Sequence, residues 1–233
     1  MDVPDIEGLA IRQLRWAPCF RIIASRFPTI FLFERIASPE DFDALYQLEA
    51  MTNPRVLSER NAVDHVPSED RAFGPGSSVI MAPFMYLNPA GGRFTDSTFG
   101  AFYAAHSLGT AIAETRHHRA VFLRATREAP MEVTMRSYCA DVSARFHDLH
   151  GQRQRMKDIY DPDSYVASQA LGRKLRLADS NGVVYDSVRD PEGQCLAAYR
   201  PRLVKNLRQG VHLRYVWDGG SISHVYELRP IEY

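Results

Sequence analysis

The segment of residues 91–119, GGRFTDSTFGAFYAAHSLGTAIAETRHHR, constrains this chain more than any other stretch of its sequence. Two glycines precede Arg93, an aromatic run containing Tyr103 follows ten residues later, and a helix start then leads to Glu114. Arg, Tyr and Glu are a poor set for building an apolar core, because charged groups are rarely buried unless they are paired. The segment is therefore expected to serve a ligand as well as the fold.

The sequence indicates an α+β fold with many short strands and three or four helices, because short apolar runs alternate with Gly, Pro, Asn and Asp turns. Strands are predicted near Phe20 and Ile22 and over residues 31–33, 79–86, 99–104, 121–126, 132–143 and 183–185, with a terminal hairpin that turns at residues 218–220. Helices are predicted from Ser38 to about Thr52, from Ser107 or Thr110 to about His118, and from Asp161 to about Ala178.

One compact domain with an N-terminal extension is the predicted organisation. The extension covers residues 1–60 and carries a strand and a helix that pack on the core, and residues 61–233 form the main domain. The chain has 233 residues, of which 45% are hydrophobic, so a sizeable core is expected.

Charge and cysteine content argue against several classes of protein. Lys+Arg and Asp+Glu both number 28, so the formal net charge is zero and does not support a nucleic-acid reader or a polybasic membrane binder. The three cysteines are widely separated, which argues against a disulfide scaffold or a zinc knuckle. No apolar run has the length of a signal sequence or a membrane span, so a cytoplasmic location is expected.

Four side chains are the candidate site residues. The guanidinium of Arg93 suits bidentate donation to a phosphate, and the ring of Tyr103 suits stacking on a nicotinamide or an adenine. The carboxylate of Glu114 suits orienting ribose hydroxyls and stabilising positive charge at an anomeric carbon. Ser187 ends the strand VVYDS, where ligand groups are often placed. Together these residues point to chemistry on a dinucleotide such as NAD.

Each candidate also has a purely structural interpretation. Arg93 suits an exposed surface position, and Tyr103 suits a half-buried place in the core. Glu114 suits a solvated helix face, where it would pair with a histidine one turn later, and Ser187 suits turn chemistry alone. The residue types do not decide between the two interpretations.

Other motifs are weaker. His147 and His150, with Asp148, would suit a metal-dependent hydrolase, but no Cys or further His lies at a supporting spacing, so no metal is expected. The patterns GxGxxG, GxxxxGK[ST] and GxSxG are absent from the sequence. Dinucleotide-binding Rossmann, P-loop and serine-hydrolase interpretations therefore lose their main signatures.

The run GGRF…FGAFYAAHSLGTAIAE resembles the RES domain, a family named for an Arg, a Glu and a Ser. The resemblance implies that these residues correspond to Arg93, Glu114 and Ser187 in this chain. The later segment NGVVYDSVRDPEGQCLAAYRP is similar to the Ser-containing strand and turn of the same family, and the resemblance covers most of residues 20–205. The family often has Asn-Pro after the Arg-aromatic pair, where this chain has Thr-Asp-Ser at 95–97.

The resemblance implies an ADP-ribosyltransferase-like fold, with a split, mostly antiparallel β core and flanking helices. It also implies the toxin of a RES–Xre type II toxin–antitoxin module, which uses NAD as substrate without a metal and binds an Xre-type antitoxin. The acceptor of ADP-ribose would be phosphoribosyl pyrophosphate synthetase, water or phosphate. On this view Arg93 and Glu114 are catalytic, and Arg93, Tyr103 and Ser187 bind NAD.

A binding module that acts through its partner, with weak or lost activity, is an alternative of a different class. Its basis is the neutral charge together with the aromatic tail, in which Tyr215, Trp217 and Tyr226 would form an interface if they were exposed. Burial of these rings across the terminal hairpin is the competing expectation.

Overall fold

The structure is a computed structural model that describes residues 5–25, 63 and 65–231. The strand predicted at residues 31–33 and the helix predicted from Ser38 to about Thr52 lie outside the described residues. The boundary predicted between residues 60 and 61 also falls there, so the division into an extension and a main domain stays a prediction.

Seven strands and three α-helices make up the described part of the chain. The strands are β1 (Ile11–Ala24), β2 (Phe102–Ala105), β3 (Met131–Asp148), β4 (Gly182–Asp186), β5 (Gln194–Ala198), β6 (Val204–Trp217) and β7 (Ile222–Leu228). The helices are α1 (Ser77–Met85), α2 (Leu108–Ala125) and α3 (Val166–Leu177). Among the described residues, no helix is long and apolar enough to cross a membrane.

The strands form one sheet in the order β1-β2-β5-β4-β3-β6-β7, and β1 also pairs with β3. All pairings are antiparallel except that of β3 with β4. One edge of β3 pairs with β6 from Met131 to Val142 and then with β4 at His147 and Asp148, so the sheet splits at β3. The expected α+β fold with a split, mostly antiparallel core and flanking helices is confirmed.

A closed circuit of strands results from the double pairing of β1. This strand runs along β3 from Ile11–His147 to Ala24–Met135, and it meets β2 at Phe20–Ala105. Strands β1, β2, β5, β4 and β3 therefore surround a common interior, from which β6 and β7 extend.

Apolar side chains fill both faces of the sheet. Helix α1 contributes to one cluster with Met81 and Phe84, and helices α2 and α3 contribute to the other with Leu123 and Leu171. Successive side chains of β4 point to opposite faces of the sheet and so belong to different clusters. Val184 belongs to the first cluster, and its neighbours on both sides belong to the second. The candidate site lies on the α2 and α3 side.

The strand predicted over residues 79–86 is wrong, because residues 77–85 form helix α1. Six of the nine residues of α1 are buried, and they lie on more than one side of the helix. The sequence of α1 therefore shows no polar face. A short apolar run of this kind cannot be assigned to a helix or a strand by periodicity. Pro83 lies inside the helix, and it favoured the wrong assignment to an edge strand.

The strand predicted over residues 121–126 is also wrong, because α2 continues to Ala125. Val121 and Phe122 are exposed on the helix, so two apolar residues stand where a helix would usually show polar ones. The predicted start of this helix is confirmed, since the Ser107 Oγ accepts a hydrogen bond from the Thr110 amide at 3.0 Å. The terminal hairpin is confirmed as β6 and β7, and residues 194–198 form a strand.

Candidate functional site

The loop that carries Arg93 is held closed by contacts that only glycine permits. Gly91 has φ +71°, and a Cβ on it would lie 2.2 Å from the Thr95 carbonyl oxygen. A Cβ on Gly92 would lie 2.6 Å from the Tyr103 hydroxyl, and the Gly92 amide donates to the Thr95 carbonyl at 2.9 Å. The two glycines therefore allow the loop to pack against the protein itself.

Two tyrosine hydroxyls fix the next residue of the loop. The Phe94 amide donates to the Tyr103 hydroxyl at 3.0 Å, and the Tyr199 hydroxyl donates to the Phe94 carbonyl at 3.1 Å. Thr95 Oγ1 lies 3.1 Å from the Tyr103 hydroxyl in a further hydrogen bond. Burial raises the pKa of Tyr103 to about 12, so this hydroxyl stays protonated. The hydroxyl of Tyr103 thus supports the loop.

Arg93 is 7% exposed and reaches across to residues 159–165. Its Nη1 donates to the Ile159 carbonyl at 3.1 Å and to the Asp161 carbonyl at 2.8 Å. Its guanidinium carbon lies 4.5 Å from the centre of the Tyr165 ring, in a cation–π contact. Within the part of the chain that the structure describes, no residue accepts a hydrogen bond from Nη2 or Nε. The exposed-arginine interpretation is therefore wrong.

Glu114 is partly buried on α2, and Ser187 at the end of β4 is its direct partner. Ser187 Oγ donates to Glu114 Oε1 at 2.6 Å, and it accepts from the amides of Arg189 at 3.1 Å and Asp190 at 2.9 Å. Ser187 is 0% exposed, so its hydroxyl is fully engaged within the protein. Cys195 on β5 places its Sγ 3.9 Å from the same carboxylate oxygen.

A second contact fixes α2 against the turn between β4 and β5. Thr110 Oγ1 donates to Asp190 Oδ2 at 2.7 Å, and the Gly193 amide closes the turn on the Asp190 carbonyl at 3.0 Å. A Cβ on Gly193 would lie 2.5 Å from the Thr110 methyl group, so the helix and the turn are in close contact. These contacts fix the position of α2, and with it Glu114, relative to β4 and β5.

Three of the candidates act electrostatically on Tyr185, a buried residue of β4. Burial is the largest cause that raises the pKa of Tyr185 well above its usual range. Cys195, Glu114 and Tyr103 raise this pKa further, and the charge of Arg93 lowers it. One buried hydroxyl thus lies within electrostatic reach of Arg93, Tyr103 and Glu114, while Ser187 is bonded directly to Glu114. The structure thus joins Tyr103 to the Arg93 loop and Ser187 to Glu114 by direct hydrogen bonds.

Three further side chains of this site were not singled out from the sequence. His117 and His118 follow Glu114 by one helical turn, and Arg189 follows Ser187. Desolvation, then the charge of Arg189, lowers the pKa of His117 to about 4. Desolvation also lowers the pKa of His118 below 6.5, and Glu114 opposes this change. The i+3 and i+4 spacing from Glu114 had pointed to these histidines, but only as surface partners of the carboxylate.

The residues of the weaker hypotheses have ordinary structural partners. His147 Nδ1 lies 2.8 Å from Ser180 Oγ, and His150 Nε2 lies 3.6 Å from Asp186. In the described ranges, no three His, Cys, Asp or Glu residues are arranged to hold a metal. Tyr215 and Trp217 are buried, which agrees with the expected burial of these rings across the terminal hairpin. Tyr226 is exposed.

The fold and the site define a class: an α+β protein with a split sheet, in which Glu114 of α2 and Ser187 at the end of β4 are bonded to each other and a buried arginine, Arg93, lies in the loop before β2. A model of the RES domain family matches residues 69–218. This chain belongs to the RES domain family.

Two known proteins illustrate the similarity. The chain is 33% identical to the uncharacterized protein y4oC of Sinorhizobium fredii over 223 residues, which is 91% of this chain and 90% of that protein. It is also similar to a chain in the crystal structure of the M. tuberculosis MbcT–MbcA toxin–antitoxin complex, with a TM-score of 0.49 and 17% identity, over 92% of this chain and 90% of that one.

Proposed function

We propose that this protein is the toxin of a RES–Xre toxin–antitoxin pair and that it cleaves the nicotinamide glycosidic bond of NAD. ADP-ribose then passes to a protein acceptor, for which the family resemblance suggests phosphoribosyl pyrophosphate synthetase. An Xre-type antitoxin neutralises the enzyme. The observation that carries the proposal is the Glu114 carboxylate, which Ser187 holds by one oxygen at 2.6 Å.

Glu114 would act on the sugar cation. The bond from the ribose anomeric carbon to the nicotinamide nitrogen breaks, and its electron pair returns to a ring that was already cationic. Nicotinamide therefore leaves as a neutral molecule, and no general acid is required. Positive charge develops on the ribose, and a carboxylate fixed beside it stabilises that charge without having to reorganise. Glu114 Oε2 accepts no hydrogen bond from a described residue, which supports a role in ligand contact.

Arg93, Tyr103 and Ser187 would bind and arrange NAD to different extents. The Nη2 and Nε edge of Arg93 suits the diphosphate or the nicotinamide ribose, because Nη1 is occupied by two carbonyls. Tyr103 is partly exposed, and its ring suits stacking on nicotinamide while its hydroxyl holds the loop. Ser187 suits orienting Glu114 better than touching NAD, since it is fully buried.

A second candidate is an NAD phosphorylase or glycohydrolase that depletes NAD, since the same first step serves water or phosphate as acceptor. The exposed ring of Tyr226 also leaves a catalytically weak binding module to be tested. The testing experiment incubates NAD with the purified protein, with and without phosphate, cell lysate and an Xre-type antitoxin, and follows the products by mass spectrometry. ADP-ribose on a protein, ADP-ribose phosphate or free ADP-ribose would each identify the acceptor.

The carboxylate itself is tested by Glu114→Gln. We expect nicotinamide release to fall by at least ~100-fold, because one oriented group that stabilises the transition state is lost. Binding of NAD, measured by calorimetry, should be retained. A loss of less than roughly tenfold, which corresponds to about 1.4 kcal/mol, would exclude charge stabilisation by Glu114. Copurification with a stoichiometric partner and no turnover by the folded wild type would favour the binding module.

A further inference from the structure

Helix α3 and the residue before it contact the loop that carries Arg93 at three points. Tyr165, Gln169 and Arg173 are four residues apart, so they lie on one side of the helix. Gln169 Nε2 donates to two carbonyls of the loop, at 2.9 and 3.2 Å, and Arg173 Nη1 lies 3.0 Å from Asp96 Oδ2. These two residues hold the loop on either side of Arg93, whereas Tyr165 contacts the guanidinium itself.

Tyr165 has a fixed place at the start of α3. Its carbonyl accepts from the Gln169 amide at 2.8 Å and from Ser168 Oγ at 3.1 Å. Before it in the chain, the Asp161 carboxylate accepts from the Ser164 amide at 2.8 Å and closes the turn that leads to Tyr165. The backbone that carries the ring is therefore held by contacts that do not involve the guanidinium.

The Tyr165 ring restricts how the guanidinium of Arg93 can turn. The guanidinium carbon lies 4.5 Å from the ring centre, and Nη1 donates to the carbonyls of Ile159 and Asp161. Because the donors of a guanidinium lie in one plane, these contacts leave the Nη2 and Nε edge pointing in one direction. Arg93 is 7% exposed, and a cation–π contact is stronger where water is largely excluded.

We propose that Tyr165 is a positioning residue for Arg93, an inference that rests on the proposed binding of NAD. Its ring keeps the Nη2 and Nε edge of the guanidinium directed at the diphosphate or the nicotinamide ribose, and Tyr165 does not itself touch NAD. Among the described residues, the Tyr165 hydroxyl has no hydrogen-bond partner, so the role belongs to the ring. Tyr165 therefore serves the affinity for NAD, whereas Glu114 serves the rate of cleavage.

The first test measures affinity without turnover. ADP-ribose keeps the diphosphate and the ribose of NAD but has no nicotinamide bond to cleave, and its binding is followed by calorimetry. We expect Tyr165→Leu to weaken binding by at least ~5-fold, because the largely desolvated cation–π contact that orients Arg93 is lost. Tyr165→Phe keeps the ring and should bind as the wild type does. The matched control Phe122→Leu removes a ring whose centre lies 5.6 Å from the Arg119 guanidinium carbon, and it should not change binding.

The second test asks whether Tyr165 acts through Arg93. In an Arg93→Ala background, Tyr165→Leu should cause no further loss, because no guanidinium is left to position. The comparison is made in kcat/KM for NAD where binding is too weak for calorimetry. An equal loss in both backgrounds would show that Tyr165 contacts the ligand itself and would overturn the proposal.

Steady-state kinetics separate this role from a purely structural one. With NAD as substrate, Tyr165→Leu should raise KM and leave kcat near the wild-type value, whereas a loss of folded protein would lower kcat and leave KM unchanged. Tyr165→Met takes the place of Tyr165→Leu if the latter does not fold. Unchanged affinity for ADP-ribose in Tyr165→Leu, or an equal loss in Tyr165→Phe, would overturn this inference alone.

Failure of the proposed function would give a different result. A folded wild type that binds ADP-ribose but releases no nicotinamide would overturn the cleavage of NAD, and the binding test of Tyr165 would still decide this inference. A folded wild type that binds neither ADP-ribose nor NAD would overturn both.

Discussion

The hydroxyl of Ser187 makes three hydrogen bonds within the candidate site. Its hydroxyl connects Glu114 to the backbone of the β4–β5 turn and has no surface left for a ligand. The sequence suggested Ser187 as a candidate, and the structure places its hydroxyl against the Glu114 carboxylate. Its partners lie 73 residues away on α2 and just beyond it in the turn, so the local sequence alone did not reveal this arrangement.

Replacing Ser187 by Ala separates positioning from binding. We expect a loss of about 1–3 kcal/mol in unfolding free energy, because two amides lose their acceptor. The rate of nicotinamide release should fall at least ~10-fold with little change in KM, since Glu114 loses its orientation. Denaturant unfolding and steady-state kinetics measure the two effects.

Ser180→Ala is the matched control for this change. Ser180 is also buried, and its hydroxyl bonds the Gly182 amide and carbonyl and His147, but it does not touch Glu114. We expect a similar loss of stability with an unchanged rate. Equal rates for the two variants would show that Ser187 does not position the carboxylate.

At the scale of elements, helix α2 shows both the strength and the limit of sequence reasoning. Its start could be predicted because a capping serine acts locally, through an amide three residues away. Its last turn was mistaken for a strand because Val121 and Phe122 are exposed apolar residues. Helix α1 was missed because it is buried on nearly every side, and only tertiary packing selects its conformation.

Helix α2 should also make stability depend on pH. The pKa of His117 is lowered from 6.5 to about 4 in the folded protein, first by desolvation and then by Arg189. Between these values the unfolded chain binds the proton more tightly, so stability present at neutral pH is lost as the pH falls toward 4. We expect His117→Gln to reduce that loss, measured by denaturant unfolding at neutral and acidic pH. His224→Gln, on the exposed face of β7, should leave it unchanged.

At the scale of the molecule, β1 is part of the central sheet although the family match begins only at residue 69. The strand pairs along β3 from end to end, and its Leu14 and Trp16 are buried in the core. Sequence patterns predicted a strand here but could not predict its partner, because pairing joins residues more than one hundred positions apart.

A truncated chain of residues 61–233 should therefore fail to fold. Without β1, the long edge of β3 loses its backbone hydrogen-bond partners, and buried apolar surface on α2 is exposed. Circular dichroism and a cooperative thermal transition would measure the result. A truncated chain that melts cooperatively like the full protein would instead support the division into an extension and a self-sufficient main domain.

The circuit of strands closes at one place where very little backbone holds it. Within the described residues, β1 and β2 pair only at Phe20 and Ala105, and the Arg21 side chain adds a hydrogen bond to the Tyr103 carbonyl at 2.9 Å. One backbone pairing and one side-chain hydrogen bond therefore hold this junction, and Tyr103 accepts that hydrogen bond through its carbonyl. A local opening of the junction would therefore also displace Tyr103, whose hydroxyl supports the Arg93 loop, so the closure of the strand circuit and the position of Arg93 depend on the same residue.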